Sequence, residues 1–228
     1  MRTRRTPPAA TLLCILVATA CGGAARGAGQ MPEPTATAQA AEIEAIFRAR
    51  QDSARMRFTP ADVRFMTGMI AHHAQALVMA AMAETHDASP EIRVLAARIY
   101  NAQLDEIATM QKWLRDRGQP VPEVHIEGGR VMVHGAHDHM HMPGMLTPEQ
   151  LEELDRARGR EFDRLFLEYM IQHHRGAVVM VHELFATDGA AQDELVFRLA
   201  SDVQVDQTTE IRRMERMLAA MTADGGTP

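Results

Sequence analysis

Four long stretches of the chain repeat apolar residues at the three-to-four-residue spacing of amphipathic helices. They run over about 60 to 86, 90 to 117, 160 to 187 and 190 to 221, and a shorter one covers 148 to 157. Apolar residues with this period form one face of a helix, and no stretch of useful length shows the alternation typical of a strand. The pattern therefore predicts an all-α chain.

Three of these helices are predicted to begin with a hydroxyl-bearing residue followed by proline. The pairs are Thr59-Pro60, Ser89-Pro90 and Thr147-Pro148. The hydroxyl accepts a hydrogen bond from an otherwise unpaired backbone N–H, and proline is tolerated at the first helical position because its missing N–H is not needed there. Gly118 and the pair Asp188-Gly189 are typical helix ends.

An internal repeat groups the four long predicted helices into two similar pairs. Phe65 to His73 ends in two adjacent histidines, and Phe166 to His174 ends in the same way 101 positions later. The next helix of each half repeats a Gln-x-x-Glu-Ile-x-x-Met pattern, which starts at Gln103 and at Gln207. Two copies of one helical hairpin predict a four-helix bundle.

The first histidine of each pair shares a helix stripe with two methionines and an alanine. Residues at i, i+3, i+7 and i+10 lie on one face of a helix. The two stripes are Met69, His72, Ala76 and Met79, and Met170, His173, Ala177 and Met180. Thioether and imidazole suit copper, and Cu(I) in particular, whereas magnesium and calcium prefer oxygen. The stripes predict a copper ion as the bound metal.

The second histidines, His73 and His174, lie about 100° round the helix from the first. They are predicted either as further ligands or as hydrogen-bonded supports for the first histidines. A packed core would explain the methionines alone, since methionine is a common core residue. Four core imidazoles without a metal would each need polar partners, which favours a metal site.

Polar residues on the partner helices extend the predicted site. Gln103 and Gln207 begin core-like stripes and are predicted to orient the imidazoles through hydrogen bonds. Glu106 and Glu210 are secondary candidates for metal ligands, with a solvated position at the edge of the bundle as the alternative.

The linker between the two halves, residues 125 to 145, is rich in histidine and methionine and has no hydrophobic periodicity. Such a composition is typical of tracts that collect metal ions at an exposed surface, although a polar connector would also lack periodicity. The secondary ligand candidates within it are His134, His137, His139, Met140, His141 and Met142.

The N-terminus has the layout of a bacterial export signal. Arg2, Arg4 and Arg5 precede an apolar stretch that ends at Ala20 and is too short to cross a bilayer. The residues before Cys21 are similar to a lipobox, in which cleavage leaves a lipidated cysteine at the N-terminus. Ordinary signal cleavage near the alanines is the alternative. We expect a signal peptide at 1–20, a flexible tether at 21–40, a short helix at 41–58 and the bundle at 60–221.

Composition removes several classes of function. The formal net charge is −6, and it becomes more negative when the three arginines leave with the signal, which argues against nucleic acid as a partner. Cys14 and Cys21 are the two cysteines, so a mature domain without the signal has no disulfide. The chain has no Gly-x-Ser-x-Gly, phosphate loop, dinucleotide fingerprint or Glu-x-x-His spacing. An enzymatic role is therefore disfavoured, and no catalytic residue is predicted.

These motifs resemble the bacterial family catalogued as domain of unknown function 305. Gly144 to Leu151, Glu161 to Ala177 and Phe65 to His73 carry the resemblance, which covers roughly 60 to 218. It implies a ferritin-like four-helix bundle, export, frequent lipid anchoring and, for some members, periplasmic copper handling. The first half departs from the family pattern with Ala74 after its histidine pair, where the second half has Arg175. The residues that take the suspected ligand role by this match are His72, His73, His173 and His174, with Met69 and Met170 beside them.

The leading prediction is an exported, lipid-anchored protein of the cell envelope that sequesters or delivers copper. Its predicted partners are metal ions, the membrane through the N-terminal lipid, and envelope metal-handling proteins, with oligomerisation left open. Two alternatives remain at this point. One is a metal-dependent oxidoreductase on the same bundle, and the other is a structural or interaction protein whose histidines bind no metal.

Overall fold

Six helices and one short hairpin make up the part of the chain that the computed structural model describes, residues 35–55, 57–127, 130–134 and 142–224. The helices are α1 (Ala36–Arg55), α2 (Pro60–Met82), α3 (Pro90–Asp116), α4 (Pro148–Arg156), α5 (Gly159–Phe185) and α6 (Glu194–Asp224). The strands are β1 (Glu123–Glu127) and β2 (Arg130–His134). The predicted signal, Cys21, His137, His139, Met140 and His141 lie outside the described residues.

The chain divides into two compact units, Met1–Ile43 and Glu44–Pro228. Helix α1 begins at Ala36, inside the segment for which the sequence predicts a tether. The Thr35 hydroxyl accepts from the Ala38 N–H at 3.4 Å, and alanine has the strongest intrinsic preference for a helix. Within the described residues, no helix is long and apolar enough to cross a membrane.

The predicted helix starts are confirmed. The Thr59 and Thr147 hydroxyls accept from backbone N–H groups three residues on, and Asp62 and Gln150 reach back to the cap N–H, which completes two capping boxes. Ser89 accepts from the Ile92 N–H at 3.4 Å. These caps fix where α2, α3 and α4 begin.

The long helices pack in pairs. Helix α2 packs along α3, α5 packs along α6, and the two pairs meet through α2 and α5. The apolar core forms two clusters on these contacts. The first cluster includes Met69, Trp113, Met180 and Val203, and the second includes Met79, Leu95, Phe166 and Met170.

The start of α6 differs from the prediction. The sequence predicts a helix from 190, whereas α6 begins at Glu194 because Asp193 is its cap and accepts from the Leu195 and Val196 N–H groups at 3.0 and 3.1 Å. Asp193 also pairs with the buried Arg117 and accepts from the Trp113 indole N–H at 3.1 Å. The turn between α5 and α6 therefore extends to Asp193.

A two-stranded sheet lies in the linker, where the sequence predicts no strand. Strands β1 and β2 are antiparallel, with Val124 opposite Val133 and Ile126 opposite Val131. The alternation spans only five residues in each strand, too short to stand out in the sequence. The hairpin places His125 and His134 on strands, and β2 packs against α2.

Candidate metal centre

The two histidine pairs converge in the interior. His72 and His73 of α2, and His173 and His174 of α5, are all fully buried. The rings of His72 and His173 lie 3.8 Å apart between centroids, with an angle of 37° between their planes. Each ring is also 6.2–6.4 Å from the second histidine of its own pair. The duplicated motifs therefore form one cluster at the contact between α2 and α5.

The hydrogen bonds of the central pair fix which ring nitrogen carries the proton. His72 Nε2 lies 3.1 Å from the Pro143 carbonyl oxygen, and His173 Nε2 lies 3.0 Å from the His72 carbonyl oxygen. A carbonyl oxygen can only accept, so each ring donates from Nε2 and its neutral form keeps the lone pair on Nδ1. Both Nδ1 atoms are buried and have no hydrogen-bond partner among the described residues.

Burial keeps this central pair neutral. Burial and the neighbouring His73 together lower the pKa of His72 to about 3, against the hydrogen bond to Pro143, which raises it. Burial likewise lowers the pKa of His173 well below its ordinary value, with the charges of His72 and His174 acting in the same direction. A neutral imidazole is the form that binds a metal ion.

The outer histidines are held by carboxylates. His73 Nε2 donates to Glu106 Oε2 at 2.6 Å, and His174 Nε2 donates to Glu210 Oε2 at 2.7 Å. The Nδ1 atoms of both rings are buried without a hydrogen-bond partner in the described part of the chain. A carboxylate that accepts from one ring nitrogen is the usual support of a metal-ligating histidine, because it fixes the ring orientation. The arrangement is compatible with both roles predicted for His73 and His174.

The four stripe methionines lie on two sides of the histidines. All are buried, with Met180 the most exposed at 8 %. Met69 and Met180 belong to the first apolar cluster, and Met79 and Met170 belong to the second. On α2, Met69 precedes His72 and Met79 follows it, and α5 has the same order around His173. Each helix therefore has one methionine on each side of its buried histidine.

The two glutamines do not make the predicted contact with imidazole. Gln103 and Gln207 are buried, but the imidazole Nε2 atoms are already paired with carboxylates and carbonyls. Both polar atoms of the Gln103 amide and the Gln207 Oε1 have no hydrogen-bond partner among the described residues. They line a separate cavity of about 220 Å³ together with Glu106 and Glu210.

The end of the linker covers the central pair. The Pro143 carbonyl accepts from His72, and the Gln75 side chain pairs with both the N–H and the carbonyl of Leu146, at 2.8 and 3.1 Å. Gly144, at φ +77°, packs so tightly against Gly176 of α5 that a Cβ atom on Gly176 would lie 1.9 Å from the Pro143 oxygen. The sequence does not predict this contact, although Pro143-Gly144 and a glycine within helix α5 are visible in it.

One linker methionine, Met142, lies beside the stripe methionine Met180. Met142 Sδ and Met180 Cε lie 3.3 and 3.4 Å from the point where a Cβ atom on Gly68 would be. These three residues and Pro143 line an open cavity of about 280 Å³. Of the other linker candidates, His134 lies in β2, and the remainder fall outside the described residues.

No three histidine, aspartate or glutamate side chains within the described ranges are placed to hold one metal ion. The cluster instead offers buried imidazole nitrogens on two helices that also carry buried methionines. Such a donor set suits a soft ion of low coordination number better than a hard ion that needs many oxygen ligands.

We expect the metal-free protein to lose stability as the pH falls from 7.5 to 5.5. In the unfolded chain His72 and His173 take up protons near their ordinary pKa of about 6.5, whereas the folded state holds both neutral down to much lower pH. The unfolded state then binds more protons, so the free energy of unfolding falls by about 2 to 3 kcal/mol for the pair. Urea unfolding in the presence of a chelator measures this change.

The control is the same measurement on the double variant His72→Gln and His173→Gln, which lacks the two titrating rings. Its free energy of unfolding should depend less on pH over this interval. Equal pH dependence of the two proteins would show that other groups cause the effect.

The family model for the domain of unknown function (DUF305) matches residues 62–218. A DUF305 fragment from Deinococcus radiodurans is 33 % identical, with a TM-score of 0.59, and the match covers 72 % of this chain and 98 % of that one. A candidate secreted DUF305 protein from Streptomyces coelicolor is 27 % identical, with a TM-score of 0.60 and coverage of 71 % and 94 %.

A third solved relative, CopM, has known metal-bound forms. CopM in its Cu(I)-bound form is 28 % identical, with a TM-score of 0.52, and the match covers 70 % of this chain and 96 % of CopM. The same protein is known in Cu(II)-bound, silver-bound and apo forms. No curated protein matches the chain at a significant level.

Proposed function

Because the chain belongs to the DUF305 family, we propose that it is an exported protein that binds copper as Cu(I) and sequesters or delivers it in the cell envelope. One observation carries the proposal. His72 and His173 meet in the interior, their Nδ1 atoms have no hydrogen-bond partner among the described residues, and methionines of α2 and α5 lie on both sides of them.

The unpaired nitrogen atoms argue for an occupant. A buried polar atom without a partner costs about 1 to 3 kcal/mol, and the four Nδ1 atoms of the histidine cluster are all in this state within the described residues. A metal ion bound by His72 and His173 would satisfy two of them. The nearby thioethers favour Cu(I) over hard cations.

An opening at the surface supports a route to this site. The cavity lined by Gly68, Met142, Pro143 and Met180 is open, and Pro143 is hydrogen-bonded to His72. Met142 and Met180 place two side chains of the same soft donor type at its wall. We propose that the ion meets these methionines first and reaches the imidazoles when the linker end moves.

The relatives support the choice of metal and compartment. CopM binds Cu(I), Cu(II) and silver, and silver shares the preference of Cu(I) for sulfur and imidazole. The candidate secreted relative from Streptomyces coelicolor agrees with the export signal at the N-terminus of this chain. A lipid on Cys21 is part of the proposal, and incorporation of labelled palmitate tests it.

The repeated motifs support a finer description of the fold. The pairs α2 with α3 and α5 with α6 each contain one copy of the histidine motif and one copy of the glutamine motif. We propose that the four helices are a ferritin-like bundle derived from two copies of one hairpin.

Copper loading of the mature chain tests the proposed function. We expect Cu(I), supplied with ascorbate, to raise the melting temperature, because a ligand of the native state stabilises it. The double variant His72→Leu and His173→Leu should bind one ion fewer per chain by plasma spectrometry and lose most of this thermal shift.

The matched control is His182→Leu, which removes an exposed histidine from the same helix α5. It should bind as much copper as the unaltered chain. Unchanged stoichiometry and thermal shift in the folded double variant would overturn the proposal for the buried site.

A further inference from the structure

A polar cavity lies beside Glu106 and Glu210, the carboxylates that accept from His73 and His174. It has a volume of about 220 Å³, and all of its lining residues belong to α3 and α6. The internal repeat contributes equivalent residues from its two copies. Its polar lining includes Gln103, Glu106, Gln207, Glu210 and Asp206.

Three polar atoms of the buried amides in this cavity have no hydrogen-bond partner among the described residues. Gln103 is 2 % exposed, and neither its Oε1 nor its Nε2 has a hydrogen-bond partner among the described residues. Gln207 is 3 % exposed, and its Oε1 is likewise unpaired within that part of the chain. Unpaired buried polar atoms cost free energy, so an occupant that supplies the missing contacts is stabilised here.

The charge of the cavity selects a cation. Glu106, Glu210 and Asp206 contribute carboxylates, and Arg98 is the positive residue in the same lining. The three carboxylates line one cavity, where like charges that lie partly out of water repel one another. A positive occupant would relieve this repulsion.

The two glutamates are already oriented. Each accepts from a buried imidazole at Oε2, over 2.6 Å for Glu106 and 2.7 Å for Glu210. This hydrogen bond holds the carboxylate in place, and Oε1 is the second oxygen available to a ligand. The side chains are 18 % and 23 % exposed, so a solvated ion can reach them.

We propose that this cavity binds a hydrated hard divalent cation, Ca²⁺ or Mg²⁺, through Glu106 and Glu210 and the amide oxygens of Gln103 and Gln207. Both cations prefer oxygen ligands, and Mg²⁺ in particular keeps several waters and binds through one or two carboxylates. Water ligands fit the cavity volume, since one water occupies about 30 Å³. An ion that keeps water ligands needs fewer ligands from the protein. No three carboxylates or histidines among the described residues are placed to hold one ion.

The site differs from the proposed copper centre in its donor atoms. The copper centre offers imidazole and thioether, whereas this cavity offers carboxylate and amide oxygen. Hard and soft cations therefore select different sites.

Titration of the copper-free mature chain with CaCl₂ and with MgCl₂ by isothermal calorimetry tests the proposal. We expect saturable binding of one ion per chain. The double variant Glu106→Gln and Glu210→Gln keeps an oxygen that can accept from His73 and His174 but removes both charges, and it should bind at least about tenfold more weakly.

A second variant guards against a change of fold. Gln103→Leu with Gln207→Leu removes the amide oxygens and the unpaired buried groups, so it should stay folded without metal and also bind the cation more weakly. The control Asp105→Asn removes an exposed carboxylate of α3 outside the cavity lining and should bind as the unaltered chain does.

Three results would overturn the proposal. These are no saturable binding of either cation, unchanged affinity in the folded glutamate variant, and a leucine variant that is more stable but binds the cation equally well. The last result would show that the cavity holds water alone. Copper loading is measured separately, so failure at this site is distinguishable from failure of the proposed copper function.

Discussion

Replacing Met69, Met79, Met170 and Met180 together with leucine is expected to lower the affinity for Cu(I) on the order of a hundredfold while the chain stays folded. Leucine is close to methionine in volume, and exchanges of this kind in a core usually cost less than about 1.5 kcal/mol each. The variant therefore removes sulfur donors from both sides of His72 and His173 with little change in packing. Competition with a chromophoric Cu(I) chelator measures the affinity.

The control for this prediction replaces methionines that lie off the stripes. Met110 of α3 and Met214 of α6 are fully buried and belong to the same two apolar clusters. Their exchange for leucine should leave Cu(I) affinity unchanged. If the four-site variant kept its affinity, the methionines would be core residues only, and the imidazoles would have to bind the ion without sulfur.

Replacing Gly176 with alanine is expected to destabilise the protein by about 3 kcal/mol, because the interior has no room for the added methyl group. Its Cβ atom would lie 1.9 Å from the Pro143 oxygen and 2.6 Å from Gly144 Cα. Both neighbours are backbone, so either α5 or the linker must shift. Urea unfolding measures the loss, and hydrogen exchange at the His72 ring reports whether its bond to Pro143 has opened.

The matched control is Gly68→Ala, which also adds a methyl group within a helix. Its closest neighbours are the flexible ends of Met142 and Met180 at 3.3 and 3.4 Å, and alanine is the better helix former by about 1 kcal/mol. Its free energy of unfolding should stay near that of the unaltered chain. Equal stability of the two variants would contradict the tight contact between the linker and α5.

Local signals in the sequence predicted much of the fold. Caps such as Thr59 with Asp62 satisfy backbone groups within one turn, so the residues that fix the start of α2 are adjacent in sequence. Helical periodicity likewise located the long helices. The five-residue strands of the linker hairpin and the start of α6 at Asp193 were not predicted, since short alternation and a single cap give weak patterns.

Only part of the candidate site could likewise be predicted from the sequence. The repeat identified His72, His173 and their neighbouring methionines because their spacing on one helix is visible in the sequence. The ring contact between the two histidines and the partner at Pro143 depend on how α2, α5 and the linker pack. The pairing of His73 with Glu106 joins residues 33 positions apart, and no local pattern specifies it.

The two central histidines have unequal acceptors, although their motifs are copies. His173 donates to a carbonyl within helix α2, whereas His72 donates to Pro143, in the segment that joins the two copies. A symmetric dimer of single hairpins would give both rings the same environment. In this single chain, one ring instead has its acceptor on a helix and the other has its acceptor on a connecting segment. Displacement of that segment alone would free the His72 ring from Pro143 and leave the His173 ring bonded to α2. The centre would then open from the side of His72 only.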